Sequence, residues 1–131
     1  MGYLLDTNIC IAILKDGDKR LIKKIKGMSP ADFFLCSVVK AELFYGARNS
    51  QKVEDNLTLL KKFFSQFESY PFDDDAASYY GVTRAILTKA ETPIGANDLI
   101  IAGICLNHDL VLVTRNKKEF ERVPGLKVEV W

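Results

Sequence analysis

Short apolar runs alternate along this chain with longer segments whose apolar residues recur at helical spacing. The runs predict β-strands at 3–5, 33–36, 69–72, 110–113 and 127–130. The segments between them predict helices over about 8–15, 19–26, 37–48, 53–67, 73–90 and 97–107. Pro71 is tolerated in an edge strand, so we expect the third strand at a sheet edge. Ser37 is well placed to cap the helix that follows the second strand.

This alternation is typical of an α/β domain whose sheet is mainly parallel and covered on both faces. The chain has 131 residues, a length that suits one ordinary domain. We therefore predict a single α/β domain over residues 1–131, with four to five short strands in its central sheet.

The composition places the chain among globular proteins, since 48% of its residues are hydrophobic and 27% are charged. No apolar run approaches the roughly 18 residues of a membrane span. Asp6 also interrupts the N-terminal apolar run too early for a secretory signal. Cys10, Cys36 and Cys105 are widely spaced in apolar sequence, which predicts buried thiols instead of a disulfide framework. We therefore expect a cytoplasmic protein that does not bind a membrane.

Positive charge is concentrated in two parts of the chain although the net charge is only +1. Six basic residues fall within 15–26, and Arg115, Lys117, Lys118 and Arg122 form a second cluster. Such clusters can bind phosphates, or they can be the solvated face of a helix. The sequence leaves both interpretations open.

Three acidic residues, Asp6, Glu42 and Asp98, stand in otherwise apolar sequence. A carboxylate that leaves water costs several kcal/mol unless something pairs with it. Asp6 and Asp98 can each be explained as helix caps, and Glu42 by a salt bridge to a lysine. Taken together, the three acids favour a shared cation and therefore a metal-dependent hydrolase.

Other polar residues follow the predicted strands at their carboxyl ends. Asp6 ends the first strand, Ser37 follows the second, and Thr114 and Asn116 follow the fourth. In open α/β sheets, ligands bind beyond the carboxyl ends of the strands. The pattern thus predicts one polar site at this edge of the sheet.

Other hydrolase chemistries find little support. His108 is the single histidine, which argues against a Ser-His-Asp triad or a two-histidine zinc site. An aspartyl-phosphate phosphatase also uses an aspartate at the end of strand one, but usually has a second aspartate where this chain has Asn8. A non-enzymatic module that uses the acids as a metal-dependent switch is a third alternative.

Four motifs occur in a familiar order: Leu4-Leu5-Asp6-Thr7-Asn8, Ser37-x4-Glu42-Leu43-x-x-Gly46, Ile94-Gly95-x-Asn97-Asp98-x-x-Ile101-Ala102 and Leu112-Val113-Thr114-Arg115-Asn116. With them the chain resembles the PIN-domain ribonucleases, specifically the VapC-type toxins of bacterial type II toxin–antitoxin systems. The ending from Glu119 to Trp131 is similar to that of VapC toxins that cut initiator tRNA, tRNA(fMet), in its anticodon stem-loop.

The resemblance implies a compact three-layer fold and an endoribonuclease that hydrolyses RNA phosphodiester bonds at a Mg²⁺ or Mn²⁺ site. It implies that Asp6 and Asp98 are direct ligands, and that Glu42 is a ligand or orients the attacking water. Many PIN domains carry a fourth acid where Asn116 stands, so we expect Asn116 to be a catalytic residue. Glu119 is the alternative source of the fourth acid. The expected substrate-positioning residues are Thr7, Ser37, Thr114 and Arg115.

The resemblance also implies two protein partners. A toxin of this kind is expected to form a homodimer and to be held inactive by a small antitoxin whose tail fills the acidic groove. Phe44, Tyr45 and the helix at 53–67 offer apolar side chains for such a contact, although core packing explains most of them equally well.

Overall fold

Five short parallel strands form the centre of the protein in a computed structural model that describes residues 2–15 and 17–131. The strands are β1 (Tyr3–Leu5), β2 (Phe33–Cys36), β3 (Glu68–Tyr70), β4 (Val111–Val113) and β5 (Lys127–Glu129). Their order in the sheet is β3-β2-β1-β4-β5, and every neighbouring pair is parallel. The predicted α/β architecture with a parallel sheet is therefore confirmed.

The six predicted helices lie where the periodicity places them, with ends that differ by a few residues at most, whereas the short last helix and a 3₁₀ turn were not predicted. The helices are α1 (Thr7–Leu14), α2 (Lys19–Lys26), α3 (Ser37–Arg48), α4 (Val53–Phe64), α5 (Asp74–Lys89), α6 (Ala96–His108) and α7 (Lys117–Phe120), with a 3₁₀ turn at Pro30–Asp32. Connections run towards one sheet edge from β1 to β3 and towards the other from β3 to β5. Right-handed crossovers then place α1–α4 on one face and α5–α7 on the opposite face.

The strand order reverses at β1, which has β2 on one side and β4 on the other. Leu5 pairs with Val113, and the Asp6 amide donates to the Val113 carbonyl at 3.0 Å. The carboxyl ends of β1 and β4 therefore lie side by side. This reversal is the point at which open α/β sheets form a ligand-binding crevice.

The core is continuous from the sheet into α6. Leu4, Leu35 and Leu112 of the three central strands are fully buried, and so is the middle of α6, from Ile101 to Cys105. Gly103 lets α6 approach α5 closely, because a Cβ at this position would lie 2.9 Å from the Ala76 carbonyl oxygen. This tight contact fixes the direction of α6, and with it the position of Asp98 in its first turn.

Two local predictions need correction. Ser37 does not cap α3: Cys36 occupies the N-cap position, and Ser37 is the exposed first residue of the helix. The third strand ends at Tyr70, before Pro71, although its position at the edge of the sheet is as predicted.

Cys10, Cys36 and Cys105 are buried free thiols. None of the helices in the described ranges is long and apolar enough to cross a membrane.

Candidate active site

Asp6 lies at the junction of β1 and α1 and is only 8% exposed. Its Oδ1 accepts the Thr7 amide at 2.8 Å, so Asp6 does cap α1. Its Oδ2 accepts the Thr114 hydroxyl at 2.7 Å, and Thr114 Oγ1 in turn accepts the Asn116 amide at 3.0 Å. The residue that follows β4 therefore fixes the orientation of the Asp6 carboxylate. A residue that acts only as a helix cap does not need this second hydrogen bond.

Thr7 is the next polar group along α1. Its Oγ1 is buried and makes no hydrogen bond of normal geometry to any described residue. The hydroxyl nevertheless lies near the Glu42 carboxyl, where it offsets part of the rise in pKa that burial and Asp6 cause. A buried hydroxyl that lacks a full partner has free hydrogen-bonding capacity for a ligand.

Glu42 lies on α3 and is half-buried. Burial raises the pKa of its carboxyl, and the negative charge of Asp6 raises it further. No lysine or arginine of residues 2–15 and 17–131 forms an ion pair with Glu42, so the salt-bridge explanation is wrong for the part of the chain described. Glu42 instead faces another carboxylate.

Asp98 lies in the first turn of α6, whose N-cap is Gly95, so the alternative explanation of Asp98 as a helix cap is wrong. Burial raises the pKa of Asp98 to about 7, aided by a hydrogen bond and charge from Glu119 and then by the charges of Asp6 and Glu42. A helix N-terminus normally favours the ionised form of an acid. The pKa of Asp98 is raised instead, first because of burial and then because of the negative charge of the surrounding acids.

Glu119 of α7 is the fourth acid of this group. Its Oε1 accepts the Gly95 amide at 2.8 Å, and its Oε2 accepts Asn116 Nδ2 at 2.6 Å. The Gly95 bond, followed by those from Asn116 and Asp98, holds the pKa of Glu119 below its usual range. Of these two acids, the pKa of Asp98 is raised and that of Glu119 is lowered, so Asp98 holds a proton more readily than Glu119 does. Asn116 contacts the acid group through Glu119.

The four carboxylates come from separate elements: the end of β1 (Asp6), α3 (Glu42), α6 (Asp98) and α7 (Glu119). As arranged in residues 2–15 and 17–131, no three His, Cys, Asp or Glu side chains are positioned to hold one ion. The chemistry of the donors nevertheless fits a hard divalent cation, because all are carboxylate oxygens that repel one another. The buried Thr7 hydroxyl adds another oxygen beside them.

The remaining predicted site residues divide into two groups. Thr7, Thr114 and Asn116 lie within the acid group or bond to its members. Arg115 points elsewhere and pairs with Asp18, the residue that caps α2. Ser37 lies exposed at the start of α3. Sequence reasoning did not anticipate the Asp18–Arg115 pair or the Gly95 amide as a partner of Glu119.

Known proteins are similar to this chain over its whole length. The sequence profile of the PIN domain family matches residues 3–126. The chain is 36% identical over 131 residues to the tRNA(fMet)-specific endonuclease VapC of Salmonella typhimurium, covering 100% of this chain and 98% of that protein. It is likewise 36% identical over 132 residues to ribonuclease VapC2 of Rickettsia felis, again covering 100% and 98%.

Solved structures show the same similarity in three dimensions. The crystal structure of VapBC2 from Rickettsia felis, bound to a DNA fragment from its promoter, contains a chain with a TM-score of 0.93 and 36% identity. That match covers 100% of this chain and 99% of the other. A structure of VapBC-1 from nontypeable Haemophilus influenzae matches with a TM-score of 0.89 and 33% identity, covering 100% and 98%.

Proposed function

The chain belongs to the PIN-domain family, and on that basis we propose that it is a metal-dependent endoribonuclease, the toxin of a toxin–antitoxin pair. Its RNA substrate is tRNA(fMet), since relatives with that printed activity are 36% and 37% identical over the full chain. The resemblance drawn from the motifs is confirmed at the level of the family. The cleavage site in the anticodon stem-loop stays part of the proposal.

The observation that carries this proposal is the convergence of carboxylates beyond the strand ends. Asp6 and Glu42 each raise the pKa of Asp98, so the three predicted ligands share one electrostatic environment although they are far apart in sequence. Such mutual repulsion is unfavourable in isolation and is relieved by a cation. The cation that suits these donors is Mg²⁺ or Mn²⁺.

Each acid has its own part in the reaction that we propose. Mg²⁺ or Mn²⁺, when bound, would polarise the scissile phosphodiester and lower the pKa of a water molecule. Asp6 and Asp98 would hold the ion, for which the Asp98 carboxyl must be deprotonated. Glu42 would either complete the ligand set or accept a hydrogen bond from the water that attacks phosphorus, as the scissile P–O bond breaks and its oxygen leaves. Glu119, with Asn116 bonded to it, provides the fourth acidic position.

Neighbouring hydroxyl groups position the reacting atoms. Thr114 keeps the Asp6 carboxylate in one orientation through its 2.7 Å hydrogen bond. Thr7 offers its unpartnered hydroxyl to a phosphate oxygen, because it is buried beside Glu42. Ser37 and Arg115 stay predicted substrate contacts at the rim of the site.

An apolar groove beside the acids is suited to the antitoxin. It is lined by side chains of α1, α3 and α4: Ile11, Leu14, Leu43, Leu59 and Leu60, with Glu42 at its border. A peptide segment that fills this groove would reach the acid group and exclude RNA. The solved relatives are complexes whose VapBC names include the antitoxin partner.

A second apolar surface favours the expected homodimer. Tyr79, Val82 and Ile86 recur on one face of α5, and each is more than 40% exposed. Their spacing of three and four residues makes them neighbours on the helix surface. Sedimentation of the purified protein tests this part of the proposal, which requires a dimer and is contradicted by a monomer.

The test of the nuclease uses two aspartates in matched positions. Asp98 and Asp55 both lie in the first turn of a helix, but Asp55 is exposed on α4. We expect the wild type and Asp55→Asn to cut a tRNA(fMet) transcript with Mg²⁺ and not with EDTA, and Asp98→Asn to be inactive. Sequencing the RNA ends locates the cut. Full cleavage by Asp98→Asn, or hydrolysis of p-nitrophenyl phosphate but not RNA, would refute the proposal.

A further inference from the structure

Helix α2 carries an unusual concentration of positive charge. Five of its eight residues are basic and none is acidic. All five basic side chains are exposed, whereas Leu21 is buried, Ile25 packs partly against the core and Ile22 is half-buried. The helix thus presents a surface that is only cationic, in a protein whose net charge is +1.

Helix stability explains only part of this arrangement, because Lys23, Lys24 and Lys26 stand in the last turn, where the helix dipole favours cations. Lys19 and Arg20 stand in the first turn, where the helix dipole disfavours cations. Lys19 and Lys23 lie four residues apart and repel each other, as do Arg20 and Lys24. No carboxylate of residues 2–15 and 17–131 forms an ion pair with any of these four side chains. An ordinary solvated face mixes charges of both signs, and this one does not.

The basic residues form two rows with different surroundings. Lys24 lies over the Trp131 ring, 4.8 Å from its centroid, and shares a groove with Arg20 and the C-terminal residues. Lys19, Lys23 and Lys26 line an adjacent open surface with Ile22, and Lys23 also borders the groove of Lys24. We name these three lysines the basic stripe. No aromatic ring of the described residues covers the basic stripe.

The basic stripe is attached to the edge of the acid site. Asp18, the N-cap of α2, accepts the Leu21 amide at 3.0 Å and pairs with Arg115. Arg115 directly follows Thr114, which bonds to Asp6. Lys15, Lys19 and Arg115 line one shallow groove, from which α2 extends for about 12 Å. Cationic side chains therefore extend from Arg115, next to Thr114, along the helix, with Asp18 as the acid among them, paired with Arg115.

We propose that the basic stripe binds the phosphate backbone of the RNA substrate outside the scissile bond. This inference rests on the proposed function and adds the surface by which the substrate is held. The acid site repels phosphates, and a net charge of +1 supplies little long-range attraction. Local cations must offset that repulsion, and contacts between lysine and phosphate are the usual means.

The experiment compares two triple variants that change net charge equally. In the stripe variant, Lys19, Lys23 and Lys26 become Gln. In the control variant, Lys61, Lys62 and Lys89 become Gln; these lysines are exposed in the last turns of α4 and α5. The dissociation constant for a tRNA(fMet) transcript is measured in EDTA at several salt concentrations, and cleavage by the wild type is measured in Mg²⁺.

We expect the stripe variant to weaken RNA binding roughly tenfold or more at low salt, and to reduce the slope of log Kd against log salt by about 2–3. The control variant should change Kd less than about threefold, and Lys→Arg at the three stripe positions should restore binding because the charge remains. Equal losses in both Gln variants, or no recovery with arginine, would overturn the inference. Failure of the wild type to cleave RNA would instead reject the proposed function.

Discussion

Replacing Asp98 by asparagine should stabilise the protein in EDTA near pH 8 even though it removes a site residue. The folded protein raises the pKa of Asp98 to about 7, above its ordinary value, because burial and the neighbouring acids disfavour the charged form. Asparagine carries no charge and can still donate a hydrogen bond to Glu119. The variant therefore keeps the contact of the protonated acid and loses the repulsion of the ionised one.

The direction of the pH effect follows from this raised pKa. Below the unfolded pKa of about 4, Asp98 is protonated in both states and resembles asparagine. As the pH rises from about 4 through 7, the unfolded chain loses this proton before the folded protein does, so the wild type loses stability. The advantage of Asp98→Asn should therefore be close to zero near pH 4 and largest near pH 8.

The magnitude is modest because Asp98 is only half-buried. Each pH unit between the folded and unfolded pKa values corresponds to about 1.4 kcal/mol, which would give an upper limit of about 4 kcal/mol. Screening by solvent reduces this to about 1–2 kcal/mol. For a domain of this size we expect the melting temperature to rise by roughly 3–8 °C.

Differential scanning calorimetry at several pH values, in EDTA and then in Mg²⁺, measures both effects. At about a hundred times its dissociation constant, Mg²⁺ should stabilise the wild type by about 2.7 kcal/mol, and Asp98→Asn should lose most of that gain. Asp55→Asn controls for the loss of any aspartate from a first helical turn. Parallel pH profiles for the wild type and Asp98→Asn, or an equal rise for Asp55→Asn, would refute the reasoning.

Three further outcomes follow from the hydrogen bonds of the site. Thr114→Val should lower the free energy of unfolding by about 1–3 kcal/mol and impair RNA cleavage, because Asp6 loses a donor and the Asn116 amide loses an acceptor. Thr114→Ser keeps the hydroxyl and should retain both stability and cleavage. Asp6→Asn should still cap α1 and fold, yet show no cleavage; activity equal to wild type would contradict its assigned role. Asn116→Asp should tighten Mn²⁺ binding, because it places a second carboxylate beside that of Glu119. Unchanged Mn²⁺ affinity in calorimetric titration would place position 116 outside the ion's surroundings.

Much of the fold could be predicted from the sequence because its strands and helices have clear periodicity. The short apolar strands and the all-round apolar α6 left few alternatives, and the parallel order followed from the alternation of elements. The turn at Pro30–Asp32 and helix α7 escaped prediction, since three or four residues do not show a helical period. Ser37 was misjudged as a cap because a strand that leads directly into a helix can use an apolar residue such as Cys36 as its N-cap.

The identity of the acids could also be predicted, but not the bonds among them. Asp6, Glu42 and Asp98 attract attention because their neighbours are apolar. The Glu119 bond to the Gly95 amide joins residues that are 24 positions apart, and no local pattern reports such a pairing. The same holds for Asp18 and Arg115, which the fold brings together from opposite parts of the chain.

The buried cysteines offer a measure of how often the interior opens. Cys10, Cys36 and Cys105 are each no more than 1% exposed, and burial raises the pKa of all three thiols, that of Cys36 to about 11. The reactive thiolate is therefore scarce and shielded in the folded protein. A thiol reagent can modify these residues only after the surrounding structure opens locally. The rate of labelling therefore measures how often the region around Asp6 opens. Slower labelling in Mg²⁺ than in EDTA would show that a cation closes this region without any measurement of catalysis.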